Sequence, residues 1–280
     1  MLQANHITHT VGRKVLLDNV SIAVKPGELV AVVGANGAGK STLLKTLSRD
    51  MVPTQGDVLL DEKPVRQFSN VELARRRAVL AQQNPLAFNF NVYELVMMGR
   101  YPHFDGRPRP EDMAVVEAVL EQTGISHLAE RSVPTLSGGE QQRVHLAKVL
   151  AQLMTAEELV RPNEIIRTAK YLLLDEPTTG LDLYYQHSLL EVASKLTQRG
   201  YGVIAILHDL NLVMQYANKV LLLKGGKTLA LGNPANVLTP ETILKAFQLH
   251  VTIVHQPELN CPLIVHSRQN ASIPVTPQTY

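Results

Sequence analysis

Cysteine, aromatic residues and an excess of charge are all scarce in this sequence. It contains one cysteine and no tryptophan in 280 residues, and aromatic residues make up 5%. Because Cys261 has no partner for an internal disulfide, the cysteine content suits a reducing compartment. Twenty-seven basic residues stand against 25 acidic ones. This balance argues against a polybasic nucleic-acid-binding protein and gives no sign of a membrane-surface protein.

Long apolar runs are absent as well. The longest, such as 29–33 and 203–207, extend over five or six residues, whereas a membrane-spanning helix needs about 20. Residues 1–18 include basic and histidine side chains and no apolar run of signal-peptide length. We therefore expect a chain that neither crosses a bilayer nor enters the secretory route. Its length favours one domain with an insertion or appendage.

The apolar segments alternate between strand-like and helix-like patterns. Short β-branched runs bounded by glycine or proline predict strands at 20–24, 28–33, 171–174, 202–207 and 219–223. Helical spacing predicts helices at 41–47, 140–154 and 184–197, and a mostly helical stretch over 71–122. This alternation indicates an α/β fold with a parallel sheet covered by helices. The helix-rich middle, about 83–152, is predicted to be a subdomain inserted into that sheet.

The strongest motif is a glycine-rich loop between a predicted strand and a predicted helix. Residues 34–41 match the phosphate-binding loop G-x-x-x-x-G-K-[ST] at every fixed position. Glycines let backbone N–H groups converge on phosphate oxygens, and the helix N-terminus adds partial positive charge. Lys40 would reach the β- and γ-phosphates, and the Ser41 hydroxyl would help to hold Mg²⁺. The flanking strand and helix disfavour the alternative, a glycine turn that matches by chance.

A second motif places two acidic residues at the end of a buried strand. Asp175 and Glu176 directly follow the apolar run 171–174. Asp175 would lie near the metal, and Glu176 could polarise an attacking water, as phosphoryl transfer to water requires. The alternative is a strand followed by an acidic turn, and the presence of the phosphate loop makes that interpretation weaker.

A third motif, Leu-Ser-Gly-Gly-Glu-Gln-Gln-Arg at 136–143, opens another predicted helix with small residues. By the same dipole argument, this turn is a second anion-binding site. Two such turns would be redundant for one ATP, unless each chain's second turn closes the ATP of a partner in a two-fold dimer. The alternative is a capped helix with Ser137 as the N-cap residue.

In that order along the chain, residues 34–42, 136–141, 172–176, Leu181-Asp182 and His208 resemble the nucleotide-binding subunits of ABC transporters. The resemblance covers about 2–256 and leaves 257–280 as a C-terminal extension. It implies a P-loop NTPase (RecA-like) fold, with a mixed sheet and an inserted α-helical subdomain. It also implies ATP hydrolysis, with ATP and Mg²⁺ as ligands.

The resemblance assigns roles to individual residues. Glu176, His208 and Lys40 are implied as catalytic, and Ser41, Gln82 and Asp175 as residues that contact Mg²⁺. The residues implied in nucleotide binding are Gly34, Ala35, Asn36, Gly37, Ala38, Gly39, Lys40, Ser41, Thr42, His9, Ser137, Gly138, Gly139, Gln141 and Asp182.

The resemblance implies that Gln82 is the glutamine that touches Mg²⁺ and senses the membrane subunits, with its neighbour Gln83 as the alternative. The chain departs from the family pattern at two places. His9 stands where the family usually has an aromatic residue that stacks on adenine. The stretch 153–170 is longer than the usual link, and we expect it to form a solvated helix–turn insertion on the surface.

Other segments resemble a narrower group. Residues 91–103 are similar to a segment of ATPases from importers for haem, iron-siderophores and vitamin B12. Residues 205–212 and 257–265 most resemble the haemin-import branch. Haem uptake is therefore the implied function, and a siderophore or vitamin B12 importer is the alternative. A soluble ABC ATPase switch is a different class, and the second cassette, coiled coil or basic arm of such proteins is missing here.

The resemblance also implies partners and a location. The partners are a second copy of the chain, two membrane permease subunits and, indirectly, a substrate-binding protein, at the cytoplasmic face of the inner membrane. No nucleic-acid partner is expected. The apolar positions Val92, Leu95, Val96 and Gly99 suit either a contact with a permease helix or the chain's own core.

Histidines and the cysteine gather near the end of the chain, at His250, His255, Cys261 and His266. Their spacing fits no compact zinc pattern. In importers that the chain resembles, the substrate passes through the membrane subunits. We therefore expect no direct haem ligation by this chain.

Overall fold

The computed structural model describes residues 1–82, 88–161, 164–256 and 261–267. The strands are β1 (Leu2–Val11), β2 (Lys14–Val24), β3 (Leu29–Val33), β4 (Gln55–Leu60), β5 (Lys63–Pro64), β6 (Arg77–Leu80), β7 (Tyr171–Leu174), β8 (Gly202–Ile206), β9 (Lys219–Lys224), β10 (Lys227–Gly232), β11 (Val251–Val254) and β12 (Leu263–His266). The helices are α1 (Lys40–Leu47), α2 (Asn70–Arg76), α3 (Val92–Met97), α4 (Pro110–Gln122), α5 (Gly138–Leu153), α6 (Ala156–Val160), α7 (Leu183–Gln198), α8 (Leu210–Tyr216), α9 (Pro234–Val237) and α10 (Pro240–Phe247).

A six-stranded sheet in the order β10-β9-β3-β8-β7-β6 forms the centre of the fold. Strands β9, β3, β8, β7 and β6 run parallel, and β10 pairs antiparallel with β9. Every residue of β3, β7 and β8 is buried, as expected for strands covered by other elements on both faces. The predicted mixed α/β sheet is therefore confirmed.

A second, antiparallel sheet in the order β2-β1-β4-β5 covers one side of the first. Its buried residues join those of α1 in one apolar cluster, which includes Ile7, Leu43 and Val58. Sequence analysis predicted only the end of β2 and missed β1. Register shifts between Ala4 and Ile7 and again near His9 interrupt the two-residue alternation on which a strand prediction depends.

The expected helical stretch over 71–122 is interrupted by β6. Residues Arg77–Leu80 form the edge strand of the central sheet and pair in parallel with Tyr171–Leu174. The run Ala-Val-Leu is too short to distinguish a helix from a strand by periodicity. Its pairing partner lies more than ninety positions along the chain, so tertiary contacts decide its conformation.

The helices between β6 and β7 contribute to the larger of the two apolar clusters. Val92, Leu95 and Val96 are fully buried there. Gly99 lies so close to the backbone carbonyl of Lys148 on α5 that a Cβ atom would overlap it. Of the two interpretations of this apolar stripe, the structure therefore favours core packing over a docking face.

The stretch 153–170 is anchored in the interior, so the expectation of a solvated insertion is wrong for its inner face. Glu158 on α6 is 9% exposed and forms an ion pair with Lys170, which is 6% exposed. Tyr201, which is fully buried directly before β8, donates a hydrogen bond from its hydroxyl to the same carboxylate. A charge buried with its partners cannot be recognised from a list of polar residues, since the pairing partners are distant in sequence.

In the part of the chain that the structure describes, we find no helix with the length and apolar character needed to cross a membrane.

Candidate functional site

The glycine-rich loop joins β3 to α1 at the carboxyl edge of the central sheet. Gly39 has a φ of +102°, which favours glycine, and it directly precedes Lys40. A Cβ atom on Gly39 would lie 2.7 Å from the carbonyl oxygen of Leu16 and 2.8 Å from the Leu17 side chain. Ala35, Asn36 and Gly37, which precede this position in the loop, are exposed. The fold thus packs tightly around Gly39 and leaves the exposed part of the loop accessible to a ligand.

Lys40 is folded into this loop. Its Nζ donates hydrogen bonds to the carbonyl oxygens of Gly34 at 2.9 Å and Ala35 at 3.2 Å. Burial lowers the pKa of the Lys40 ammonium, and the nearby carboxylates of Glu176 and Asp175 partly offset that effect. The site therefore holds a cation whose carbonyl partners a phosphate group could replace.

Ser41 and Asp175 are in direct contact. The Ser41 hydroxyl donates a hydrogen bond of 3.2 Å to Oδ1 of Asp175, which follows β7 and is 7% exposed. Burial raises the pKa of the Asp175 carboxyl, which indicates a carboxylate that would be stabilised by a positive ligand. A hydroxyl and a carboxylate are oxygen donors of the kind that Mg²⁺ prefers, so the residues present fit this ion.

Glu176 lies next to these residues and is held by two side chains. Gln82 donates a hydrogen bond of 2.7 Å from Nε2 to Oε2 of Glu176, and Nε2 of His208 lies 2.8 Å from Oε1. Glu176 has a φ of +51°, which is uncommon for a residue with a side chain and often marks a functional position. Its carboxylate is therefore fixed in a backbone conformation that the surrounding structure must support. Gln83, the alternative to Gln82, lies outside the described residues.

The Ser-Gly-Gly turn lies at the start of α5. Ser137 and Gly138 are exposed at the start of α5, and Gly139 is half-buried. Ser137 caps the helix by accepting a hydrogen bond from the backbone N–H of Glu140. The side chain of Gln141 donates a hydrogen bond of 3.0 Å to the carbonyl of Leu136. Among the described residues, no hydrogen bond or ion pair joins this turn to the loop 34–42. The capped N-terminus of α5 is thus exposed to the surroundings.

Asp182 and His9 complete the predicted set. Asp182 is exposed and caps α7 by accepting a hydrogen bond of 3.0 Å from the backbone N–H of Tyr185. His9 pairs with Leu17 in the β1–β2 register, and Leu17 is the residue that packs against Gly39. The buried Nδ1 of His9 has no hydrogen-bond partner among the described residues.

Two contacts at the site were missed by sequence analysis. Gln142 on α5 donates a hydrogen bond of 3.3 Å to the carbonyl of Pro177, directly after Glu176. The backbone N–H of Gly226, in the turn between β9 and β10, donates a hydrogen bond of 3.1 Å to the carbonyl of Ala38 in the phosphate loop. A Gly-Gly pair between two apolar runs could have indicated this turn, but no sequence signal shows what it contacts.

The C-terminal histidines and cysteine do not form a recognisable metal site. No group of three or more histidine, cysteine, aspartate or glutamate side chains is arranged to hold an ion in the described ranges. The segment 257–265, which resembled the haemin-import branch, is described only from Cys261 onward, and 257–260 lies outside the described residues.

Comparisons with known proteins agree with this fold. The ABC transporter family matches residues 17–155. A hemin import ATP-binding protein, HmuV, from Gloeobacter violaceus is 48% identical over 265 residues, which are 95% of this chain and 94% of that protein. A protein of the same name from Deinococcus radiodurans is 44% identical and covers 94% of this chain and 96% of its own length.

Solved structures share the whole fold. An inward-facing transporter, described as being of the metal-chelate type, superposes with a TM-score of 0.78 at 26% identity, over 96% of this chain and 98% of that one. A dimeric bacterial ABC transporter cassette gives a TM-score of 0.71 at 25% identity, over 84% and 99% of the two chains. The chain belongs to the ABC transporter family and is one of its ATPases. The P-loop NTPase fold predicted from the sequence is confirmed.

Proposed function

We propose that this chain is the ATP-hydrolysing subunit of an importer that takes up haem across the cytoplasmic membrane. The observation that carries the ATPase part is the Glu176 carboxylate, held by Gln82 and His208 beside the phosphate loop. The substrate part is supported by relatives that are 38–48% identical and are named for hemin import.

The phosphate loop would bind the triphosphate of ATP. Gly34, Ala35, Asn36, Gly37, Ala38, Gly39 and Thr42 supply the loop and the first turn of α1, where backbone N–H groups can face an anion. Lys40 would exchange its carbonyl partners for the β- and γ-phosphates. His9 would lie against the adenine.

Ser41, Asp175 and Gln82 would hold Mg²⁺, which when bound neutralises charge on the phosphate oxygens. Glu176 would orient the attacking water and accept its proton. His208 would contact the γ-phosphate, and Lys40 would stabilise the charge that develops on the phosphoryl oxygens. These roles are supported by the contact of Ser41 with Asp175 and by the contacts of Gln82 and His208 with Glu176, the next residue along the chain.

A second copy of the chain would complete the site. The residues that would contact the ATP bound to the partner lie on or close to exposed turns and make no hydrogen bond to the phosphate loop among the described residues. They are Ser137, Gly138, Gly139, Gln141 and Asp182. Two ATP molecules would then join two chains, and hydrolysis would let them separate. The dimeric cassette with the same fold supports this arrangement.

The remaining partners are two membrane permease subunits, with a substrate-binding protein acting through them. The chain would work at the cytoplasmic face of the membrane. We assign residues 2–256 to the ATP-binding domain, with a helical subdomain over about 83–152 and an insertion over 153–170, and 257–280 to a C-terminal extension. Helices α3, α4 and α5 contact one another, which supports treating them as parts of one subdomain.

The test is ATPase activity of the chain reconstituted with its two membrane subunits in proteoliposomes. We expect stimulation by a haem-loaded binding protein and none by the same protein without haem. The Glu176→Gln variant should abolish both the basal and the stimulated rate. ATPase activity that responds to a siderophore- or cobalamin-loaded binding protein, and not to a haem-loaded one, would overturn the assignment of haem as substrate. The assignment as an ATPase would stand.

A further inference from the structure

The chain ends, within the described ranges, in a hairpin of β11 and β12 that stands outside both larger sheets. These two strands pair only with each other among the described strands. A two-stranded hairpin is marginally stable alone, so other elements must hold it in place. Ile264 and Cys261 pack against the large apolar cluster, and α8 and α10 are the helices that contact the hairpin.

Asn211 makes the polar connection to this hairpin. Its Nδ2 donates a hydrogen bond of 3.2 Å to the carbonyl of Ile264, and its Oδ1 accepts one of 2.8 Å from the N–H of the same residue. Both backbone groups of Ile264 are thus satisfied by one side-chain amide, as a neighbouring strand would satisfy them. An aspartate in this position could accept a hydrogen bond but could not donate one.

Asn211 is three residues after His208 and lies in the first turn of α8. Asp209 caps this turn, accepting hydrogen bonds from the N–H of Asn211 at 2.7 Å and of Leu212 at 3.2 Å. Helix α8 has seven residues, too few to be stable without tertiary contacts. The orientation of its first turn therefore depends on what holds Asp209 and Asn211.

From these contacts we infer that Asn211 is a positioning residue, which ties the C-terminal hairpin to α8 and thereby holds His208 against Glu176. The path is continuous: Ile264 to Asn211, one turn of backbone to His208, and 2.8 Å from its Nε2 to Glu176. The hairpin then affects the hydrolysis step more than nucleotide binding, because none of these residues belongs to the phosphate loop. The inference rests on the proposed ATPase role of Glu176 and His208.

The test compares the Asn211→Asp variant with wild type in the full chain. We expect kcat for ATP hydrolysis to fall by about 5- to 50-fold, with KM for ATP within about twofold, because only the alignment of the catalytic group is lost. Asn211→Gln keeps the donor and the acceptor and should retain more than half of the wild-type kcat. A matched control is Asn233→Asp, which changes the same amide at the start of α9, where only the acceptor is used. Its kcat should equal that of wild type.

A second measurement separates positioning from general destabilisation. In the nucleotide-free chain with isotope-labelled histidine, the ring signals of His208 are identified by their loss in His208→Gln. They should shift in Asn211→Asp and stay in place in Asn233→Asp. If Asn211→Asp does not fold, Asn211→Ser, which shortens the side chain, is tested by the same measurements.

Unchanged His208 signals together with an unchanged kcat would overturn the inference. So would a fall in kcat matched by an equal loss of folded protein, with the His208 signals of the remaining folded chain in place. A wild-type chain without ATPase activity would contradict the proposed function instead, and the His208 signals would still test the positioning role.

Discussion

Gln82 and His208 contact different oxygens of one carboxylate, that of Glu176. Gln82 follows β6 and His208 follows β8, while Glu176 follows β7, which lies between them in the sheet. Three adjacent parallel strands therefore deliver one polar side chain each to the same edge, where ligands of open α/β sheets usually bind. The carboxylate of Glu176, whose backbone has a φ of +51°, is thus held by side chains that follow both neighbouring strands.

Glu176→Gln should lower kcat for ATP hydrolysis by at least about 100-fold, because an amide cannot accept the proton of the attacking water. ATP binding should remain, since the phosphate loop is unchanged. Phosphate release measures the first effect, and gel filtration at saturating ATP–Mg²⁺ should show a trapped dimer.

Glu157→Gln is the matched control, because Glu157 is exposed on α6. It should hydrolyse ATP at the wild-type rate. If Glu176→Gln elutes only as a monomer under these conditions, the ATP-sandwich dimer does not form in the isolated chain.

His9→Ala should weaken ATP binding by about two- to tenfold, the range of one aromatic stacking contact. Fluorescent-nucleotide titration measures the dissociation constant. The control is His127→Ala, which removes an exposed imidazole from the helical region. An affinity equal in both variants would leave His9 as a residue of the sheet surface without a role in nucleotide binding.

Lys170→Met should lower the free energy of unfolding by about 3–5 kcal/mol, because it leaves the Glu158 carboxylate buried without its ammonium partner. Urea denaturation at pH 7 measures the change. The double variant Glu158→Leu/Lys170→Met should recover most of the loss, since no charge then stays buried. A double variant as unstable as the single one would show that packing, rather than charge pairing, anchors the segment.

The stability of the chain should fall in mild acid because of His145. This residue is 7% exposed on α5, and burial lowers the pKa of its imidazole from 6.5 to about 4, with the positive charge of Lys148 as a further cause. The unfolded chain takes up a proton below about pH 6.5, whereas the folded chain does so only near pH 4. The histidine's contribution to stability is thus present above pH 6.5 and is lost as the pH falls towards 4.

The slope is up to about 1.4 kcal/mol per pH unit, or about 3 kcal/mol over the whole interval. Urea denaturation of wild type and His145→Leu at pH 7 and pH 5 measures it. We expect the variant to lose about 2 kcal/mol less than wild type between these two values. An equal loss in both proteins would show that other groups cause the acid sensitivity.

The sequence predicted structure correctly where the pattern is local. The glycine-rich loop between β3 and α1 and the buried strands β3, β7 and β8 each carry their pattern within ten residues. The parallel strands follow from the order of these elements, and the mixed sheet was implied by the resemblance to the family.

It failed where distant residues decide the structure. The strand conformation of β6 depends on its pairing with β7. Register shifts in β1 interrupt the alternation of buried and exposed residues by which a strand is predicted. Glu158 was placed in a solvated stretch, and no contact was assigned to Asn211. Their partners, Lys170 and Tyr201 in one case and Ile264 in the other, are separated from them in sequence. Hydrogen bonds between side chains and distant backbone leave no periodic signal.

The hydrogen bond from Gln142 to the carbonyl of Pro177 connects α5 to the residue that follows Glu176. In a two-fold dimer, the turn at the start of α5 would contact the nucleotide of the partner, while Pro177 adjoins the glutamate that acts on the chain's own nucleotide. In such a dimer, a movement of α5 at one site would therefore reach the other. The two ATP molecules of the dimer are expected to bind and turn over cooperatively, with a sigmoidal dependence of the hydrolysis rate on ATP concentration that Gln142→Ala would flatten.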